Sequence, residues 1–218
     1  PYEKGGDAFY HNISYQSLSD TEYKIFISGL YSNIPFINDD TTIMPFVGWF
    51  YSTPIKPILM HEGEGYPLVF VHGTQGSGKT SSGKIFSRLA GYKNSEPKSC
   101  TMKQFPMLKT LSATNAIPVL LDEFKLSDMR DEDSDNLIRY MRKSYAGEIE
   151  TKGKADQSTV DYQLSAPLAV MGEWSISQPA LNERIILVQF KDAVKKNKKM
   201  QEAFKNVWAL PLEGFMER

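Results

Sequence analysis

Eight residues, Gly73-Thr74-Gln75-Gly76-Ser77-Gly78-Lys79-Thr80, constrain this chain more than any other stretch. They satisfy G-x-x-x-x-G-K-[ST] at every defined position. Gly76 and Gly78 permit backbone angles that other residues avoid, so successive N–H groups can curl around an anion. The pattern has meaning only between a strand and a helix, and both are predicted here. Pro67-Leu68-Val69-Phe70-Val71-His72 is a short apolar run rich in β-formers, as in a strand buried on both faces. From Ser81 to Ala90, Ile85, Phe86 and Leu89 recur at helical spacing, and Ser81, Ser82 and Gly83 are small enough for close packing. The helix would start at the loop and turn the positive end of its dipole toward the anion. Gly73–Thr80 are therefore candidate nucleotide-phosphate ligands, with Lys79 supplying a cation and Thr80 a hydroxyl for Mg²⁺. A Gly-rich turn matching by chance is the competing reading, and it leaves the flanks unexplained.

Three further apolar runs extend the pattern: Ile117–Leu121, Leu168–Met171 and Arg184–Phe190. Strands alternating with helical or mixed stretches predict an α/β fold, a parallel sheet flanked by helices. The run Val119-Leu120-Leu121 ends in Asp122-Glu123, which places two carboxylates at the carboxyl end of a buried strand. Ligands of open α/β sheets sit at that edge. Asp122 would hold Mg²⁺ and Glu123 would orient or deprotonate an attacking water. Two solvated acids at a strand end are the plainer alternative. An Asp-Glu pair favours hydrolysis over transfer to a small acceptor, which speaks against a nucleoside or small-molecule kinase.

Residues 1–62 read as a small helical N-terminal part. Ser19 and Glu22 have capping-box spacing before Tyr23, Ile25, Phe26, Ile27 and Leu30, predicting a helix over about 20–31. Asp39 and Asp40 can cap a second helix through Phe50, ended by Pro54 and Pro57. Residues 63–218 would form the nucleotide-binding core, with a C-terminal helix presenting Met200, Phe204, Val207 and Trp208 on one face. Lys+Arg 25 against Asp+Glu 26 gives no global basic excess, so any nucleic-acid site must be local. The single Cys100 excludes an internal disulfide and a cysteine zinc cluster, and fits a reducing, cytoplasmic compartment. His11, His61 and His72 show no metal-ligand spacing, and His72 reads as a packing residue. No run suits a membrane span. The chain starts at Pro1, not Met, with no signal-peptide pattern, and reads as a piece of a longer protein or a processed form.

The order of loop, Asp-Glu strand, third strand and Arg before a fourth strand resembles the AAA+ ATPase core over about residues 66–190. Within that class it is most similar to superfamily 3 helicases and the helicase-like ATPase parts of viral and plasmid primase–polymerase proteins. The resemblance implies ATP and Mg²⁺ as cofactors, a homo-oligomeric ring, a hexamer, and single-stranded DNA as partner. It makes Arg184 an arginine-finger candidate reaching a neighbouring subunit's γ-phosphate; the alternative is a surface pair with Glu183. At the end of the third strand the family has a polar sensor residue, often Asn. Glu173 and Ser175 stand here instead, as sensor candidates or, for Glu173, a cap of the next segment. Residues 147–164 alternate apolar and charged positions in two arms around Lys152-Gly153-Lys154, predicting a β-hairpin with a basic tip. The resembling helicases grip single-stranded DNA with a hairpin at this place, which makes Lys152 and Lys154 DNA-binding candidates; an ordinary solvated hairpin is the alternative. Arg139, Arg142 and Lys143 on a helix over about 134–145, and Lys191, Lys195, Lys196, Lys198 and Lys199, read more simply as solvated basic faces. The three Trp residues read as core. The resemblance implies a DNA helicase motor. A nucleotide-gated loader, packaging or defence ATPase without unwinding activity carries the same motifs.

Overall fold

The computed structural model describes residues 12–63, 65–154, 156–173, 178–191 and 197–217. Its centre is a five-stranded parallel sheet of β1 (Leu68–His72), β2 (Lys98–Ser99), β3 (Val119–Phe124), β6 (Leu168–Gly172) and β7 (Ile185–Gln189), in the order β2-β3-β6-β1-β7. β4 (Ile149–Gly153) and β5 (Thr159–Gln163) pair antiparallel as a separate hairpin. Around the sheet lie α1 (Asp20–Asn33), α2 (Asp40–Ser52), α3 (Lys56–His61), α4 (Lys79–Leu89), α5 (Gln104–Ser112), α6 (Asp131–Ala146), α7 (Pro179–Asn182) and α8 (Lys198–Trp208). This is the P-loop NTPase arrangement that the sequence predicts.

Successive side chains of a strand point to opposite faces, and β1 divides its run between two cores accordingly. Val69 and Val71 join Phe86 of α4, Phe46 and Phe50 of α2 and Phe26 of α1. Leu68 and Phe70 join Leu121, Val170, Leu108 of α5 and Leu137 and Met141 of α6. The four strand residues 68–71 are 1% exposed or less, which is why the run shows no polar alternation. Each large side chain buried this way contributes roughly 1.5–3 kcal/mol. Gly83 of α4 faces β6, where a Cβ would stand 2.7 Å from the Cε at the flexible end of the Met171 side chain.

The N-terminal helices share the first core with β1 and α4. Ser19 caps α1 through the expected box, accepting from the Glu22 amide while the Glu22 carboxylate accepts from the Ser19 amide. The C-terminal residues return over the same helices. Arg88 of α4 binds the Glu213 carboxylate at 2.6 Å and the carbonyls of Trp208 and Leu210. Phe215 packs against Phe26, Phe50 and Tyr51. Of the tryptophans, Trp49 is core, whereas Trp208 is 39% exposed beneath the Arg88 guanidinium, 4.9 Å from its ring centre. Trp174 and His11 lie outside the described residues.

Candidate functional site

The phosphate-loop sequence forms the turn from β1 to α4. Gly76 (φ 78°) and Gly78 (φ 94°) both occupy the left-handed region, where a side chain would be strained. Gly73 is required for another reason. A Cβ there would meet the Ser77 Oγ at 2.6 Å and the Phe190 carbonyl at 2.9 Å, so the end of β7 closes against the loop. Asn38, buried just before α2, donates to the Ser77 carbonyl at 3.3 Å and supports the loop from the N-terminal helices. Thr42 donates to the Gln189 carbonyl at 3.1 Å, and Lys191 pairs with Asp39 at 3.0 Å, fastening the same helix to the end of β7. Lys79 is 8% exposed, and its ammonium donates to the carbonyls of Gly73 and, at 2.9 Å, Thr74. It therefore lies across the mouth of the loop that anionic oxygens would enter.

Thr80 and Asp122, 42 residues apart, meet at this edge, with the hydroxyl donating to the Asp122 Oδ2 at 2.6 Å. Asp122 is 8% exposed; Glu123 beside it is exposed and has φ 65°. The β3–β6 register shifts here: Leu121 pairs with Val170, but Phe124 pairs with Gly172. Glu123 thus sits in a bulge, where its amide donates to the Asp122 Oδ1 at 2.8 Å. Its own Oε2 accepts from Ser99 at the end of β2, at 2.9 Å. Ser99 also bonds Thr101 at 2.8 Å. The sequence reading misses Ser99, since a two-residue strand leaves no periodic signal. Next to it, the Cys100 thiol is buried, and burial together with the charges of Asp122 and Glu123 pushes its pKa up, which keeps it a neutral thiol.

Oxygen ligands and phosphates are what Mg²⁺ takes. The Thr80 hydroxyl and the Asp122 carboxylate present such oxygens side by side at the loop, so the donor set fits a Mg-nucleotide. Among the described residues no group of three His, Cys, Asp or Glu gathers into a metal cluster.

Arg184 does not join this constellation in its own chain. It precedes β7 at the amino-terminal edge of the sheet, where its carbonyl accepts from the Leu68 amide. The loop follows β1 at the opposite edge, about 15 Å away for five strand residues. The Arg184 guanidinium binds the Ala180 carbonyl and lies 5.5 Å from the Tyr145 ring centre. Its alternative partner Glu183 forms no ion pair with it among the described residues. Glu173 is exposed just beyond β6, and its carbonyl accepts from the His72 Nε2 at 3.0 Å. The other sensor candidate, Ser175, lies outside the described residues.

The hairpin forms with Ile149 opposite Gln163 and Gly153 opposite Thr159. Two details differ from the sequence reading. Lys152 and Gly153 belong to β4, so only Lys154 stands at the tip, where Asp156 and the left-handed Gln157 complete the turn. The alternation of β4 is also inverted: Ile149 is 53% exposed and Glu150 only 6%. The cause lies on α6, whose Arg139 and Lys143 reach the Glu150 carboxylate at 3.0 and 2.8 Å. These two cations are thus engaged with the hairpin and are not a free solvated face.

No protein-family model and no curated protein matches this sequence. Solved structures do. The chain superposes on the active helicase Cch of SCCmec type IV with a TM-score of 0.54 at 17% identity, covering 90% of this chain and 36% of that one. On a JCV helicase bound to a small molecule the TM-score is 0.50 at 14% identity, covering 91% of this chain and 53% of that one. The chain spans about a third to a half of the length of these proteins. It shares the fold of these two helicases. Among the described residues no helix is long and apolar enough to cross a membrane.

Proposed function

We propose that this chain is an ATP-hydrolysing motor module that acts on single-stranded DNA, a helicase ATPase domain. The observation that carries the reading is the meeting of Thr80 and Asp122 at 2.6 Å beside a loop whose two left-handed glycines form an anion cradle. Gly73–Thr80 would hold the phosphates, with the Lys79 ammonium leaving its carbonyls for the terminal oxygens. Thr80 and Asp122 would hold Mg²⁺, which neutralises charge developing on the transferred phosphoryl group. Glu123, exposed and oriented by Ser99, would position or deprotonate the lytic water. Any action of Arg184 on a nucleotide would be on a neighbour's, because its own loop lies across the sheet, and would require assembly into a ring. Lys152 and Lys154 of the hairpin would attract the strand's phosphates.

ATP turnover measured with and without single-stranded DNA, alongside native mass, tests this. We expect Mg-dependent turnover that rises with DNA and with protein concentration. The loss of concentration dependence in Arg184→Ala would mark the shared site. Turnover unaffected by Asp122→Ala or Glu123→Gln would sink the reading. Strand displacement on a forked DNA separates a helicase from a loader or packaging ATPase.

A further inference from the structure

A two-stranded hairpin is marginal on its own and takes its position from what it packs on. Asp122 and Glu150 are the only buried carboxylates among the described residues. Asp122 belongs to the nucleotide site. Glu150 lies in the hairpin, and nothing in the nucleotide chemistry uses it. An apolar residue would seat β4 at lower cost, since burying a carboxylate carries a desolvation penalty of several kcal/mol that good pairing only offsets.

The pairing is elaborate for one acid. Lys143 reaches its Oε2 at 2.8 Å and Arg139 its Oε1 at 3.0 Å, and Lys143 also donates to the Ile149 carbonyl at 2.6 Å. Burial pushes the Glu150 carboxyl up, yet the two cations outweigh it and hold the group below its ordinary range, so it is ionised at neutral pH. Both cations stand on α6, which starts eight residues after Glu123 and ends at Ala146, three residues before the hairpin. In sequence α6 thus connects the strand that carries the Asp-Glu pair to the hairpin, and the helix itself is about 24 Å long for its 16 residues. A second contact ties the hairpin to the same region: Tyr162, opposite Glu150, meets Phe105 of α5 edge-on, and Gln104 of α5 donates to the Tyr140 hydroxyl of α6.

We propose that Glu150 is a positioning residue that locks the hairpin to α6 through Arg139 and Lys143, so that the hairpin moves with the strand end bearing Glu123. The lock is ionic, directional and two-pronged, whereas an apolar seat would let the hairpin slide. It rests on the proposed reading in one respect: that nucleotide state and strand binding are meant to be linked.

The test uses the full chain and two variants. Glu150→Gln keeps the side-chain shape and removes the charge. Arg139→Gln weakens the cluster from its exposed side while leaving Glu150 paired to Lys143. We expect Glu150→Gln to keep its melting temperature within a few degrees and to keep basal ATP turnover. Stimulation of kcat by a fluorescein-labelled oligo-dT should fall at least about fivefold, the lower end of typical coupling between sites. Arg139→Gln should show a smaller loss of stimulation. Hydrogen exchange of amides 149–163 with ADP and with a non-hydrolysable ATP analogue gives a readout that needs no DNA. The parent's difference between the two nucleotides should vanish in Glu150→Gln. A parent that binds no oligo-dT but keeps that difference refutes the DNA reading and leaves the lock standing. Equal stimulation, or equal nucleotide-dependent exchange, in parent and Glu150→Gln overturns the lock.

Discussion

Lys56 of α3 is 1% exposed, and its ammonium donates to the carbonyls of Ser144 at 3.1 Å and Ala166 at 3.0 Å. The Tyr66 ring centre lies 5.5 Å away, and no carboxylate pairs with it among the described residues. Burial without a counter-charge lowers its pKa from 10.5 to about 7. The unfolded chain then binds a proton that the folded chain lacks between pH 7 and 10.5, so stability rises with pH across this window. Below pH 7 both states are protonated and the full penalty of the buried charge is present. At about 1.4 kcal/mol per pH unit the whole window is worth roughly 5 kcal/mol, and about 2 kcal/mol of it falls between pH 7 and 9. Lys56→Met removes the titration but leaves the two carbonyls without a donor, at about 1–3 kcal/mol each. The variant should therefore be less stable at pH 9 and lose less ground to the parent at pH 7. Urea unfolding of both proteins at pH 7, 8 and 9 measures the difference directly. If their stabilities run parallel across this range, Lys56 keeps an ordinary pKa in its burial site and the argument fails.

Lys79→Ala should weaken ADP binding about 10–100-fold, the worth of one or two charge-assisted hydrogen bonds, measured by calorimetry; unchanged affinity would place the phosphates elsewhere. Glu123→Gln should retain nucleotide binding and lose about 10²–10⁴-fold in turnover by a phosphate-release assay. Ser99→Ala, which removes the donor that orients the Glu123 carboxylate, should lower basal turnover by up to about tenfold in the same assay; unchanged turnover would show that the hydroxyl does not aim the carboxylate. Arg88→Ala should cost about 2 kcal/mol, read as a drop of roughly 4–8 °C in a thermal melt, because it removes the Glu213 pair and two carbonyl bonds that hold the C-terminal segment.

The loop and four of the five sheet strands were legible because their signals are contiguous in sequence. Residues 68–71 are all buried, so the apolar run and the strand coincide, and the glycines of the loop sit where the backbone demands them. β2 was illegible because two residues, Lys98 and Ser99, carry no period; its pairing with Leu121 and Asp122 is a tertiary fact. The inverted face of β4 was illegible for a similar reason. Polarity alone puts Ile149 inside and Glu150 outside, and only the arrival of Arg139 and Lys143 from α6 reverses that order. Lys56 reads as a surface cation until the carbonyls of residues 144 and 166 are brought to it.

The bulge in β3 explains why an adjacent Asp and Glu can serve one site. In a regular strand Asp122 and Glu123 would point to opposite faces, one into each core. Here the chain takes three steps, Leu121 to Phe124, while β6 takes two, Val170 to Gly172. Glu123 absorbs the extra residue in the left-handed region, at a cost of about 1–2 kcal/mol for a residue with a Cβ. The partner strand is built for it: a Cβ on Gly172 would stand 2.3 Å from the Phe124 carbonyl. The result turns both carboxylates to the carboxyl edge, Asp122 toward Thr80 and Glu123 toward Ser99. A strained conformation on a solvent-exposed glutamate does nothing for packing, and a glycine there would relieve it. The role proposed for Glu123, at one edge with Asp122 beside an anion cradle, would account for that strain.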